Sequence, residues 1–254
     1  MKQACFEIGS IKCSNHSVAD LIADIMQMLR NKLDCPRTIN CINAHIFNCA
    51  WENNKLKEIL RRSRVVAMDG MSIVWASRLF SKRIIERCNM TDAFRTFMFT
   101  TSFPKTKAVL IGCTQEIAEK ASDTINKNCS HAQVIASLSG YMDFKYYRTY
   151  FKKCQLVDFV FIGMGTPKSE KLSRVISRVM PTAIVWHIGG GTIMFLAGQL
   201  VEAPEWMKKL GLQWLHRLIL EPKRMWRRYL IGNMLFVFRC IYCLLVKKKY
   251  LPVH

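Results

Sequence analysis

Short apolar runs ending near glycine or Asp-Gly alternate along this chain with segments of helical period, and that alternation leaves few folds open. The apolar runs cover 38–42, 64–68, 107–111, 133–137, 156–162 and 183–188. Most are too continuous to leave one face wet, so they read as strands buried on both sides. Between them, 18–33, 45–60, 115–127 and 167–179 carry apolar side chains at the spacing of one helix face, as in Leu21, Ile22, Ile25, Met28 and Leu29. This alternation predicts an α/β fold with a Rossmann-like, mostly parallel sheet flanked by helices. With 254 residues, 50% of them hydrophobic, the chain can bury one such core and still carry an appendage. We expect an α/β catalytic domain over 1–200 and a basic, amphipathic, helical C-terminal appendage over 201–254.

In such sheets, ligands bind beyond the carboxyl ends of the strands. Those ends hold Asn43, Asp69, Gly112, Gly140-Tyr141, the stretch 163–170 and Gly189-Gly190-Gly191. Glycine lets backbone approach a phosphate, and a following helix N-terminus favours its negative charge. Gly163-Met164-Gly165 lacks the third glycine of the dinucleotide fingerprint, and no GxxxxGK[ST] loop is present. Both facts argue against NAD and P-loop chemistry. Asp69 fits two roles. It follows Val65-Val66-Ala67-Met68 and precedes Gly70, the place of a turn former or of a cap for a helix from Ser72. At the mouth of the sheet it also suits a general base, taking a proton from an attacking hydroxyl. Asn43 either caps the helix ahead of His45 or orients a sugar or the base. Arg87 is either a solvated cation or a phosphate ligand.

The formal net charge is +20, and about half of it lies from Trp206 onward. Such a balance requires an anionic partner. The block APEWMKKLGLQWLHRLILEPKRMWRRYL interleaves tryptophans, leucines and cations, and YLIGNMLFVFRCIYCLLV follows with one charge, Arg239. That second run is just long enough to span a bilayer. Arg239 near its middle costs about 2.5–3.5 kcal/mol on insertion scales, and cations flank both ends rather than one. We therefore expect a peripheral anchor on an anionic membrane face, with Arg224, Arg227 and Arg228 along one helical side. The alternative is a buried core helix with a solvated basic face. Nucleic acid would also suit the charge. However, the cations sit beside a long apolar run and no nucleic-acid motif appears, so no such partner is expected. An exposed apolar tail would favour homo-oligomers when lipid is absent. The 11 cysteines are scattered, and no secretory-type apolar core occupies 1–10. They read as reduced cytoplasmic thiols. Cys240 and Cys243 form the single CxxC, and without a second pair they are not read as a metal site.

Taken in order, the blocks CINAHIFNCA, MDGMSIVWASRLF, Glu86-Arg87, VLIGC, SGYM, FIGMGTPKSE, IGGGTIMFLAG and the basic C-terminal block resemble the WecG/TagA/CpsF glycosyltransferase family (glycosyltransferase family 26) over about 38–230. The resemblance implies inverting transfer of an N-acetylhexosamine-type sugar, N-acetylmannosamine or its uronic acid, from a UDP-sugar. The implied acceptor is an undecaprenyl-diphosphate-linked sugar at the cytoplasmic face of the bacterial membrane, and the products feed wall teichoic acid, enterobacterial common antigen, or capsule and exopolysaccharide. It also implies that no cofactor or metal is needed, and the chain has no Asp-x-Asp. By the resemblance, Asp69 matches the proposed base, Asn43 the asparagine of a TNPE-like motif and Arg87 the arginine of an ER pair. Gly163, Gly165, Pro167, Lys168 and Glu170 match a GxGxPKxE segment near the nucleotide-sugar. Gly112, Gly140, Tyr141 and Gly190 join them as expected substrate contacts. Arg217, Arg224 and Arg227 match appendage residues that meet the lipid diphosphate, and Arg228 stands beside them. Cys41 replaces the family's usual threonine, Ser169 its glutamine and Met194 the aspartate of FDFLAG. Cys41 and Ser169 remain expected substrate contacts, and the three departures bear on the exact sugar more than on the reaction. The alternative is a non-catalytic accessory subunit that docks on a membrane glycosyltransferase and enhances it.

Overall fold

The computed structural model describes residues 5–31, 37–80 and 86–250. The chain opens with a hairpin, β1 (Cys5–Ile8) and β2 (Ile11–Ser14), followed by α1 (Val18–Arg30) and β3 (Thr38–Ile42). Next come α2 (Ala44–Glu52), α3 (Asn54–Arg61), β4 (Val65–Met68), α4 (Met71–Phe80), α5 (Met90–Thr100) and β5 (Thr106–Gly112). The second half adds α6 (Gln115–Asn128), β6 (Ala132–Leu138), α7 (Phe144–Lys153), β7 (Phe159–Gly163), α8 (Lys168–Val179), β8 (Ile184–His187) and α9 (Gly190–Leu196). The chain then runs through α10 (Glu205–Lys209), α11 (Gln213–Leu220), α12 (Pro222–Trp226), a π-helical turn (Arg227–Ile231) and α13 (Gly232–Tyr250).

The eight strands among the described residues join one sheet in the order β1-β2-β4-β3-β8-β7-β5-β6. β1 and β2 pair antiparallel at one edge, and the other neighbours pair parallel. The α/β expectation therefore holds. Side-chain alternation sends Phe159, Phe161, Ile184 and Trp186 to one face, and Val160, Ile162 and Val185 to the other. On the first face α5 supplies Phe94 and Phe97, which meet Phe161 and Trp186 edge-on at centroid distances of 5.0 and 5.8 Å. On the second, Tyr147 and Phe151 of α7 pack with Leu172 and Ile176 of α8.

Three elements differ from the periodicity reading by more than one residue at a boundary. The helix expected over 45–60 is two helices, because the Asn53 side chain accepts from Leu56 N at 3.1 Å and starts α3 afresh. β7 begins at Phe159 rather than 156, since Asp158 turns back to accept from Lys107 N at 3.0 Å. Residues 32 and 33, expected at the end of the first helix, lie outside the described residues, and the described α1 ends at Arg30.

The strand-end glycines pack on one another. A Cβ added at Gly163 would stand 2.8 Å from the Gly189 carbonyl and 2.5 Å from Ile193 Cδ1. Neither neighbour can give way, because one is backbone and the other sits in the core. Gly163→Ala is therefore expected to destabilise the fold by about 2 kcal/mol and lower the thermal midpoint by roughly 5 °C. An unchanged midpoint in a melting curve would contradict this packing.

Candidate active site

Two strand ends next to each other in the sheet build the chemical wall. Ile42 closes β3 and Met68 closes β4, so Asn43 and Asp69 emerge side by side, with Asp69 N donating to Ile42 O at 2.9 Å. Asn43 is the N-cap of α2, its Oδ1 accepting from Ile46 N at 3.0 Å. The capping role is thus real, and the residue still lines the cavity. Burial pushes the Cys88 thiol up to about 12, with the Asp69 carboxylate adding to the shift. Burial and then the carboxylates of Asp69 and Glu170 push the Cys41 thiol well above its ordinary range. Both thiols stay protonated in the core around Asp69.

The appendage roofs this wall. A cavity of about 280 Å³ is lined from below by Asn43, His45, Asp69, Arg87 and Asn89, and from above by Gln213, Trp214, Arg217, Arg228 and Tyr229. Gln213 Oε1 accepts from the Arg87 guanidinium and, at 3.2 Å, from Asn89 Nδ2. That pairing ties α11 to the segment before α5. Arg217 Nη2 lies against Gly191, where an added Cβ would be 2.6 Å away. The buried Nε atoms of Arg87 and Arg228 have no protein acceptor. Buried donors are normally satisfied, so these two guanidinium N–H groups can each take an acceptor from a molecule in the cavity. Burial, then the neighbouring Arg228 charge, holds His45 below the usual histidine range, so its ring is neutral near pH 7 and suits a hydroxyl.

The appendage is held by further contacts. Glu202 accepts from Arg95 of α5 at 3.0 Å and from Lys208 of α10 at 2.6 Å. A smaller cavity of about 50 Å³ shares Asn89, Thr91, Gln213 and Arg217 with the larger one and reaches Gly191.

The other expected residues lie elsewhere. Gly112, Gly140, Gly163 and Gly190 form the packed turns at the ends of β5, β6, β7 and β8, with Gly165 open beside them. Tyr141 and Lys168 are exposed next to these turns. Ser169 and Glu170 are fully buried. Ser169 Oγ accepts from Met164 N at 3.0 Å. Glu170 Oε1 accepts from Thr166 Oγ1 at 2.7 Å and lies 3.5 Å from His187 Nδ1. Their side chains brace the 163–167 turn from behind. Cys41 is buried within β3, away from the cavity lining, and Met194 is half-buried in α9. Arg224 is paired with Glu221 and mostly exposed, and Arg227 stacks over Trp226 at 5.2 Å. Neither lines the cavity, although the Arg224 charge opposes the burial shift of the Cys113 thiol beside Gly112. Among the described residues, no three His, Cys, Asp or Glu side chains converge to hold a metal.

His45, Asn89, Gln213, Trp214 and Tyr229 also line the cavity but were not singled out from sequence. Asn89 had a signal, a cap residue before Thr91-Asp92. Gln213 had none, because its role is a contact with Arg87 across 126 positions.

The family described as glycosyl transferase WecG/TagA/CpsF matches residues 6–250. The chain is 28% identical over 196 residues to the N-acetylglucosaminyldiphosphoundecaprenol N-acetyl-beta-D-mannosaminyltransferase of Bacillus subtilis (strain 168), covering 76% of this chain and 74% of that protein. It is 23% identical over 223 residues to the protein of the same name from Staphylococcus aureus (strain NCTC 8325 / PS 47), covering 87% of each.

Proposed function

This chain belongs to the WecG/TagA/CpsF glycosyl transferase family, and from that premise we propose that it transfers an N-acetylhexosamine-type sugar from a UDP-sugar to a polyprenyl-diphosphate-linked sugar with inversion. The N-acetylmannosaminyl group is the first candidate for the sugar, given the relatives' names. One observation carries the chemistry: Asp69 shares a cavity with two guanidinium groups whose buried Nε–H donors have no protein acceptor.

Asp69 takes the proton of the acceptor hydroxyl as that oxygen attacks the anomeric carbon. The new C–O bond forms on the face opposite UDP, the old one breaks, and its electron pair leaves on the β-phosphate. Arg87, Arg217 and Arg228 receive the growing charge. A guanidinium fork matches phosphate oxygens and stays ionised throughout, and each preorganised contact of this kind stabilises the transition state by about 3 kcal/mol. Asn43 and neutral His45 suit the sugar hydroxyls. The glycine turns with Tyr141 and Lys168 accept the nucleotide, while Ser169 and Glu170 hold the turn in shape. The appendage from residue 201 closes over the cavity and brings Arg224 and Arg227 to the acceptor diphosphate at the cytoplasmic membrane face. Cations of this kind remove the need for a divalent ion.

The test is incubation of purified protein with a panel of UDP-HexNAc donors and a short-chain polyprenyl-diphosphate-GlcNAc acceptor, with and without EDTA. Disaccharide-lipid product at an unchanged rate in EDTA is expected. Loss of turnover on chelation, restored by magnesium or manganese, would overturn the metal-free mechanism.

A further inference from the structure

The smaller cavity beside the catalytic one has a chemistry of its own. Its volume of about 50 Å³ is room for about four water-sized groups. That is too little for a sugar ring and enough for one substituent of a sugar. Its floor is the first turn of α5. Asp92 is half-buried there, and its carboxylate accepts no hydrogen bond from the described residues. Thr91 beside it is also an acceptor. The Thr192 hydroxyl donates to Ile188 O at 2.7 Å, so in the 2.8 Å contact between the two threonines it is the Thr91 hydroxyl that donates. Its single proton is committed, and what Thr91 offers a ligand is a lone pair. Donors come from α11. Asn89 Nδ2 and the Arg87 guanidinium both donate to Gln213, which fixes the Gln213 oxygen toward them and leaves its Nε2 hydrogens unclaimed among the described residues. Arg217 adds a guanidinium from the same helix. Phe195, Leu200 and Val201 make an apolar wall, and the Arg95 guanidinium lies 5.0 Å over the Phe195 ring. Glu202 lines the same space, but its carboxylate is occupied by Arg95 and Lys208.

Acceptors on the floor, donors on α11 and an apolar wall are the complement of a secondary amide. An amide N–H meets Asp92 and Thr91, the carbonyl oxygen meets Gln213 or Arg217, and the methyl group lies on the wall. A phosphate or carboxylate would face the Asp92 charge, and a lone hydroxyl would leave the wall uncovered. We propose that the small cavity is an acetamido pocket, which holds the 2-acetamido group of one of the two N-acetylhexosamine units, with Asp92 as its specificity-determining residue. The hydrogen bond to Asp92 is charge-assisted, so a sugar with a 2-hydroxyl in place of the amide loses both this bond and the methyl contact. The small cavity shares Asn89, Thr91, Gln213 and Arg217 with the catalytic one. An anchored acetamido group therefore sets its sugar ring at the edge of the space that holds Asp69. The pocket exists only with α11 in place, so the appendage takes part in choosing the sugar as well as in covering it. The inference rests on the reading that both substrates are N-acetylhexosamines, but its test does not require turnover.

Isothermal titration of the full-length protein reads the pocket directly. UDP-N-acetylmannosamine would be compared with UDP-mannose, and short-chain polyprenyl-diphosphate-GlcNAc with its glucose counterpart, so that each pair differs only at the 2-substituent. In one pair the acetamido ligand is expected to bind about tenfold tighter or more, and that pair identifies the sugar whose amide is held. Asp92→Ala is expected to bring the preference to within about threefold, while Asp92→Asn, which keeps an acceptor without the charge, retains part of it. Ala203→Leu fills the cavity from a half-buried loop position and is expected to remove the same preference. Melting curves would confirm that the variants are folded. Equal affinities within both pairs for the wild type, or a preference that survives in folded Asp92→Ala or Ala203→Leu, would overturn the assignment even if turnover is normal. An Asp92-dependent preference in a protein that forms no disaccharide-lipid would count against the proposed function and leave the pocket standing.

Discussion

Replacing Asp69 by Asn is expected to lower kcat by about 10²–10⁴-fold, the range associated with losing a positioned general base. The substitution keeps the shape of the side chain and its place between Asn43 and Gly70, so the thermal midpoint and UDP binding should stay close to wild type. An amide cannot accept the acceptor proton, so the loss should fall on kcat rather than on KM for the donor. Single-turnover kinetics with saturating donor and acceptor would measure it directly. Comparable rates for wild type and variant would remove Asp69 from the chemistry. The same experiment addresses the accessory-subunit alternative, because a protein that only enhances another transferase would keep its effect after this change.

The fold was legible where strands were unbroken apolar runs. β3 is Thr-Ile-Asn-Cys-Ile, with all five residues buried, and a run of that kind can occupy only a central position. The β1–β2 hairpin was not legible. Its strands have four residues each and carry charges at Glu7 and Lys12, and β2 meets β4 through the single pair Ser14 and Ala67. The break at Asn53 was hidden because apolar spacing continues across it, from Trp51 to Leu56 and Ile59. Local side-chain capping decided that boundary. Within the site, strand-end position brought Asn43 and Asp69 to attention, and tertiary packing then gathered Arg87, Arg217 and Arg228 around them. No local pattern reveals which of Arg224, Arg227 and Arg228 turns inward. Arg228 does so through the π-helical turn, while Arg224 is drawn outward to Glu221 and Arg227 onto Trp226. Ser169 and Glu170 share their segment with exposed Lys168, yet the first turn of α8 aims them into the core.

Removing the Arg228 guanidinium should cost activity without costing stability, and that divergence is the sharper test of the site. A buried donor without a partner is a liability to the fold of about 1–3 kcal/mol, and the Arg228 Nε is such a donor. Arg228→Met keeps much of the aliphatic stem and removes the orphan, so its melting midpoint is expected to equal or exceed that of wild type. If the guanidinium is there to receive the charge of a departing diphosphate, kcat/KM should fall by about 10²–10³-fold, the usual cost of losing one preorganised donor. Arg228→Lys should recover only part of this, because a point charge cannot reproduce the fork. Arg87 faces the same cavity with the same unmet donor, although its other end is bound to Gln213. If both arginines meet one diphosphate, the double variant should lose less than the product of the two single losses. Strict multiplicativity would mean that they act on separate groups. A drop in the midpoint with kcat/KM preserved would make Arg228 a structural residue and remove it from the chemistry. Sites that hold unmet polar groups in the resting protein trade stability for function. Here the trade predicts its own signature, a variant that is at least as stable as the parent and nearly inert.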